Sequence, residues 1–322
     1  MSIIEQAARR LEELRRAGID IPEIPSLPGE GQASLVAGLA RPPVVAQARD
    51  RALPPVASHR ASPGWADTDS SPDAARSKYV EIDLRRLAEE GYLTPDAPRK
   101  GIAEELRTVK RPIIEHAHEA RLAGRPRGNL ILVTSALPAE GKTYCAINLA
   151  MSIAMEVDHS VLLVDADVVH PSVMTRLGVD AELGMLDVLT KPSLDLSDVL
   201  LRTNVPKLTL LPAGSATAKS TEILASGAME AMLAEVAARY SDRIVIFDAP
   251  PLLLTSESRV LATRMGQVLM VVQAQKTVHS SVKRAFAELE ACDTVWCVLN
   301  KATSGQSSGS YGRYAQSPRG DD

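Results

Sequence analysis

NLILVTSALPAEGKTYCAINLA, residues 129–150, joins an apolar run of strand length (129–135) to a short loop and then to an apolar helix carrying Cys145, Ile147 and Leu149. An unbroken apolar run, rather than an alternating one, suits a strand buried on both faces, as in a parallel sheet. The same pattern recurs as VLLVDA (161–166), LTLLPA (208–213), RIVIFDA (243–249), QVLMVVQA (267–274) and TVWCVLN (294–300), with helix-length segments between. Strands alternating with helices predict an α/β domain: a doubly wound, mostly parallel sheet flanked by helices.

Upstream, Ile82 to Glu90 reads as helical, Leu93-Thr94-Pro95 as a helix-starting turn, and a longer helix is expected from about Gly101 to Leu122. Residues 1–18 predict an amphipathic helix, with Ile4, Ala7, Leu11 and Leu14 on one stripe and Arg9, Arg10, Arg15 and Arg16 off it. So short a helix is marginal alone in water and needs a surface to pack on. A protein surface is preferred over lipid, because Glu5, Glu12 and Glu13 weaken attraction to anionic headgroups. Residues 19–76 scatter prolines through Ala, Ser, Arg and Asp without a sustained period, which predicts a flexible linker. The folded domain is expected over 77–301, followed by a polar tail at 302–322.

Composition narrows the function. Of 322 residues, 45% are apolar and 24% charged, which excludes wholesale disorder. Aromatics are 3% and the net charge is −4, which argues against base stacking and phosphate neutralisation, so no nucleic-acid partner is expected. No run approaches the roughly 18 apolar residues a membrane helix needs, and the first residues carry charges where a signal peptide would be apolar. A cytoplasmic chain is the expectation, with three reduced cysteines (145, 292, 297) lacking metal or redox spacing.

The loop at 136–143 fits G-x-x-x-x-G-K-[ST] except at its first position, where Ala136 replaces Gly. Such a turn points backbone amides and a helix dipole at an anion. Lys142 would reach the β- and γ-phosphates of a nucleotide, and Thr143 would bind Mg2+. Asp165 and Asp167 follow the next strand with period-two spacing, where ligands of such sheets bind; helix-capping acids in a solvated loop are the plainer alternative. Asp248 ends a third apolar strand, the Walker B arrangement for holding Mg2+ directly or through water.

With those motifs in this order, the chain resembles the bacterial tyrosine kinases of exopolysaccharide loci, a branch of the deviant-Walker P-loop ATPases. The resemblance rests on the 136–143 loop, LLVDAD followed by Pro171, LPAG (211–214) and FDAPPLLLTSE (247–257). The opening MSIIEQAARRLEELRRAG and the segment 80–112 are similar to the stand-alone subgroup encoded beside a membrane chain-length determinant. It implies ATP and Mg2+ as cofactors, with Ala136, Pro138, Ala139, Glu140, Gly141, Lys142, Thr143, Tyr144 and Asn300 contacting ATP. Asn300 would read the adenine edge, although a strand-end turn residue is an equal alternative. Thr143, Asp167 and Asp248 would hold Mg2+, and Asp165 with Lys142 would serve catalysis. Tyr311 and Tyr314 would accept phosphate from a neighbouring protomer. Glu104, Arg107 and Lys110 would mediate ring-like homo-oligomers, where an ordinary solvated helix face is the plainer reading. The partner implied is the membrane chain-length determinant, a polysaccharide co-polymerase, which would hold the chain peripherally at the inner membrane without a span of its own.

Three departures stand out. Val169 replaces the family's usual Arg or Lys, leaving His170 as a partial substitute; Ala139 replaces Gly; and Lys219 replaces Asn. They weigh against vigorous catalysis more than against ATP binding. Two other readings therefore stay open: an ATPase switch of the same superfamily, and a catalytically silent ATP-binding partner of the co-polymerase.

Overall fold

The computed structural model describes residues 77–96 and 100–302. The expected helix at 1–18, the linker at 19–76 and both tail tyrosines lie outside them. Six strands fall where the apolar runs are: β2 (Leu130–Ser135), β3 (Ser160–Asp165), β5 (Leu208–Leu211), β6 (Arg243–Asp248), β7 (Gln267–Gln273) and β8 (Val295–Asn300). Two short strands were not expected from sequence, β1 (Lys78–Val80) and β4 (Leu201–Thr203), because three residues are too few to show a period. The order across the sheet is β1-β4-β5-β3-β6-β2-β7-β8. Every neighbouring pair is parallel except β4 with β5.

Successive side chains on a strand point to opposite faces, so each apolar run feeds two cores. Leu130, Leu132, Leu162, Val164, Val245 and Phe247 pack on one side. Ile131, Val133, Val161, Leu163, Ile244 and Ile246 pack on the other. This double burial is why the runs are unbroken rather than alternating.

The helices are α1 (Leu84–Glu89), α2 (Lys100–Leu122), α3 (Lys142–Ala154), α4 (Val173–Leu177), α5 (Met185–Thr190), α6 (Leu196–Val199), α7 (Ser220–Ala225), α8 (Gly227–Arg239), α9 (Ser256–Ala262) and α10 (His279–Ala287). α3 is buried almost throughout and joins the second core through Ala146, Ile147, Ala150 and Ile153. Asp83 caps α1 by accepting from the Arg86 amide at 3.0 Å. Lys219 stands at the start of α7 without a side-chain cap, which an Asn there could supply.

α2 is tied to the sheet by a buried polar link. Gln267 donates from Nε2 to the carbonyls of Gly128 (2.8 Å) and Ile113 (3.1 Å), and its Oε1 accepts from Trp296 Nε1 at 2.8 Å. Replacing one partner in such a network leaves the others without one in a dry interior, which costs more than the bond itself contributed. Gln267→Leu is expected to destabilise the domain by about 2–3 kcal/mol, read as a lower denaturation midpoint at unchanged slope.

Candidate functional site

The site lies at the carboxyl ends of the central strands. β2 ends at Ser135, and the loop to α3 turns back on itself at two left-handed residues, Ala139 (φ 62°) and Gly141 (φ 98°). At Gly141 glycine is required twice over: by its φ, and because a Cβ there would meet Asn300 Nδ2 at 2.1 Å. Ala139 adopts its angle with a side chain, at a cost of about 1 kcal/mol. Ala136, the departure from the motif, keeps a negative φ and is fully buried, so its Cβ is accommodated by packing.

The loop is braced from within. Glu140 is buried; its Oε2 accepts from the Leu137 amide at 2.6 Å, and its Oε1 accepts from the Thr277 hydroxyl. From the end of β8, Asn300 Nδ2 donates to the Glu140 carbonyl at 2.8 Å and Lys301 Nζ donates to the Ala139 carbonyl at 2.8 Å. With its carbonyls and acid held this way, the loop leads into α3, whose first amides at Lys142 and Thr143 have no partner within the helix. That is a cradle for an anion.

Two carboxylates are set side by side beneath it. Asp165 and Asp248 are direct partners in the β3–β6 register, and both are fully buried. Asp165 Oδ2 accepts from the amides of Ser172 and Val173, each at 2.9 Å, capping α4 where Ser172 itself makes no side-chain cap. Asp165 Oδ1 and both oxygens of Asp248 have no hydrogen-bond partner. Burial, with Asp248 beside it, pushes the Asp165 carboxyl up to about 7. Burial pushes Asp248 up to about 6, against the opposing charge of Lys142. Three orphaned anionic oxygens in a dry site are a strong demand for a cation. The Thr143 hydroxyl, 3.1 Å from that of Ser172, belongs to the same cluster. Among the described residues no group of three or more His, Cys, Asp or Glu could hold a metal unaided. The donor set fits Mg2+, which takes one or two carboxylates and completes its shell with phosphates and water.

Asp167 is placed differently. Its Oδ2 pairs with Lys142 Nζ at 2.9 Å, and its Oδ1 accepts from the His170 amide at 3.1 Å. Asp167 is thus held by Lys142, while Asp165 and Asp248 carry the oxygens without a partner. The reason is register: strand-end spacing shows which acids leave β3 but not which one faces β6.

A cleft of about 1030 Å3 opens over these groups, lined by the loop (Pro138, Ala139, Gly141, Lys142, Thr143, Tyr144), by Asp167, Val169, His170, Ser172 and Arg176, and by Pro250, Pro251, Leu254, Thr255, Asn300 and Lys301. Of the residues expected at ATP, two also bond within the loop. The Glu140 side chain faces inward as a brace, and Asn300, while lining the cleft, donates one Nδ2 hydrogen to the loop and accepts at Oδ1 from the Lys301 amide at 2.9 Å. The tertiary neighbour of β8 decided this, and a single strand-end Asn carries no sign of it. Tyr144 donates its hydroxyl to the Gly91 carbonyl at 2.9 Å and packs against Tyr92, with ring centroids 5.0 Å apart. Val169 is half exposed at the rim, and no basic side chain stands in its place. Arg176 escaped the sequence reading because nothing local marks a basic residue nine positions past Asp167 as part of a site.

On α2, Glu104 and Arg107 pair with each other on the exposed surface. Lys110 does not share that surface. It is buried, donating to the Ser152 carbonyl at 2.7 Å and pairing with Glu156 at 2.5 Å, so it serves the α2–α3 contact rather than a neighbour's charges. The three cysteines are free thiols, and burial pushes Cys145, next to the loop, up to about 12, which rules it out as a nucleophile at neutral pH.

The family model described as "AAA domain" matches residues 131–294, just over half of the chain. The chain is 31% identical over 195 residues to tyrosine-protein kinase YwqD of Bacillus subtilis, covering 61% of this chain and 78% of that protein. It is 29% identical over 196 residues to tyrosine-protein kinase CpsD of Streptococcus agalactiae, covering 59% and 83%. Against tyrosine-protein kinase ptk of Acinetobacter johnsonii it is 28% identical over 151 residues, 47% of this chain but only 20% of that longer protein. Among solved structures, the VpsO kinase domain superposes with a TM-score of 0.50 at 28% identity, covering 62% of this chain and 98% of that one. The kinase domain of Escherichia coli tyrosine kinase ETK superposes at 0.57 with 22% identity, covering 75% and 96%, a likeness of fold.

Two outcomes are expected. A carboxyl whose folded value lies above its unfolded one keeps a proton that the unfolded chain gives up, so stability falls as pH rises through the folded value. Asp165 and Asp248 should each cost the nucleotide-free protein roughly 1–3 kcal/mol between about pH 4 and 8. Asp248→Asn should flatten that slope in a series of denaturant midpoints and raise stability at pH 7.5; parallel slopes would contradict the assignment. Ala139→Gly should raise the melting temperature, by relief of about 0.5–1 kcal/mol of backbone strain, measured by calorimetry.

Proposed function

We propose the following function for a chain that belongs to the bacterial tyrosine-protein kinases, on the AAA-type P-loop domain matched over residues 131–294: transfer of the γ-phosphoryl group of Mg·ATP to tyrosine hydroxyls, those of Tyr311 and Tyr314 on a neighbouring protomer among them. The observation that carries the reading is the buried, unsatisfied Asp165–Asp248 pair beneath an anion-binding loop. When bound, Mg·ATP supplies the transferable group and the cation that offsets its charge.

The protein's own groups then have distinct tasks. The loop amides and Lys142 bind and orient the phosphates, Lys142 exchanging its bond to Asp167 for phosphate oxygen. Thr143 and Asp248, with Asp167 once released, would hold Mg2+. Asp165 is fixed in orientation by the two α4 amides on Oδ2, which leaves Oδ1 to accept the phenolic proton. A phenol with a pKa near 10 needs that help at neutral pH, and a base raised by burial is matched to the task. The phenolate oxygen forms a bond to phosphorus as the bond to ADP breaks, and the proton ends on Asp165.

The chain is further proposed to form ring-like homo-oligomers, with Glu104 and Arg107 of α2 facing the neighbour, and to work on a membrane chain-length determinant in exopolysaccharide polymerisation and export. That partner would hold it at the cytoplasmic face of the inner membrane; no helix among the described residues is long and apolar enough to cross one. The lack of a basic side chain at Val169 favours a second reading, an ATPase switch that passes phosphate to water.

Incubation of the full chain with Mg·ATP, followed by intact-mass measurement, separates these. Phosphoryl increments are expected, absent in Lys142→Met and reduced in Tyr311→Phe/Tyr314→Phe. Free phosphate without increments would establish the switch instead, and neither product would leave a silent ATP-binding partner of the co-polymerase.

A further inference from the structure

Arg176 lies one turn along from the start of α4 and lines the same cleft as Lys142. The other cationic side chains there are occupied: Lys142 pairs with Asp167, and Lys301 bonds the Ala139 carbonyl. The Arg176 guanidinium has a single partner among the described residues, the Tyr92 hydroxyl, which accepts from Nη1 at 3.2 Å. Among the described residues no carboxylate lies within ion-pair distance of it, although its charge opposes the rise of the Asp248 carboxyl.

Arg176 is exposed, and the backbone and the tyrosine beside it are anchored. Its backbone carbonyl accepts from Arg86 Nη2 at 2.6 Å, and Tyr92 is buried against Tyr144 on the first turn of α3. The segment bearing Tyr92 is pinned in turn, since the Leu93 amide donates to Asn148 Oδ1 at 2.7 Å. A guanidinium tethered at one nitrogen by the Tyr92 hydroxyl, with four further N–H donors facing a cleft that holds an anion cradle, is suited to a phosphate. The Arg176 amide donates to the Ser172 carbonyl at 3.0 Å, and the Ser172 hydroxyl lies 3.1 Å from that of Thr143, so α4 brings the arginine to the end of the cleft where Thr143 stands.

We propose that Arg176 is a second phosphate-binding cation of this site, directed at the terminal phosphate of a nucleoside triphosphate and held for that purpose by the Tyr92 hydroxyl. It restores from α4 the positive charge that Val169 does not provide. The inference rests on the nucleotide-site reading above, and its test keeps the two apart.

Full-length wild type, Arg176→Ala, Arg176→Lys and Tyr92→Phe would be titrated calorimetrically with Mg·ATP and with Mg·ADP, after circular dichroism and melting curves confirm that each is folded. Arg176→Ala is expected to weaken ATP binding about tenfold and ADP binding less than twofold, a difference in the range of one lost charged hydrogen bond. Arg176→Lys should recover part of the loss, and Tyr92→Phe should lower ATP affinity two- to threefold with ADP unchanged. Equal losses for both nucleotides, or no loss for ATP, would overturn the role of Arg176 while leaving the nucleotide site in place. Should wild type bind neither nucleotide, the site reading itself fails and this inference with it.

Discussion

Two acidic side chains brought shoulder to shoulder in a dry interior set the terms for everything around them. Asp165 and Asp248 are register partners at the ends of β3 and β6, and three of their four oxygens have nothing to bond. A fold that served stability alone would not keep such a pair, since unpaired buried charge is among the costliest features a protein can hold. The arrangement makes sense as a cation site left open by the protein and closed by its ligand. Local instability of that kind, sustained by a well-packed frame, is what functional sites commonly show.

The frame is sized for the task. Both faces of β2, β3 and β6 are covered, so the strands that carry the loop and the acids are buried on both sides. Ligands of open α/β sheets collect at the carboxyl ends of such strands, where the backbone turns away and leaves a crevice. The loop itself is stiffened by side chains that face away from the ligand: Glu140 from below, Asn300 and Lys301 from the end of β8. A preformed cradle holds its amides in place before the anion arrives, which lowers the reorganisation needed on binding.

Around this centre the segment 77–96 acts as a strap. β1 adds to the sheet beside β4, the Ile82 amide and carbonyl bond the Asn204 side chain, and Tyr92 packs on Tyr144. Residues far apart in sequence therefore support the first turn of α3, with Ile82 and Tyr92 buried in the second core. The strap also explains why Tyr144 is both part of the cleft wall and part of a structural contact: its ring faces Tyr92 while its position follows Thr143.

Sequence alone determined the strand-and-helix alternation, the anion-binding loop after β2, and the three acids at strand ends, because apolar periodicity and short motifs are local properties of the chain. The same reading could locate Lys142 and Thr143, since their roles follow from position in the loop. What only the tertiary structure decided was which groups meet. The strand order set Asp165 against Asp248 and gave Asp167 to Lys142; the end of β8 turned Asn300 onto the loop; the packing of α2 on α3 drew Lys110 inward to Glu156; and the strap brought the Tyr92 hydroxyl to Arg176. These pairings join residues separated by 25 to 160 positions. Such distances are closed by the burial of the whole core, so no local pattern records which partner each side chain will find.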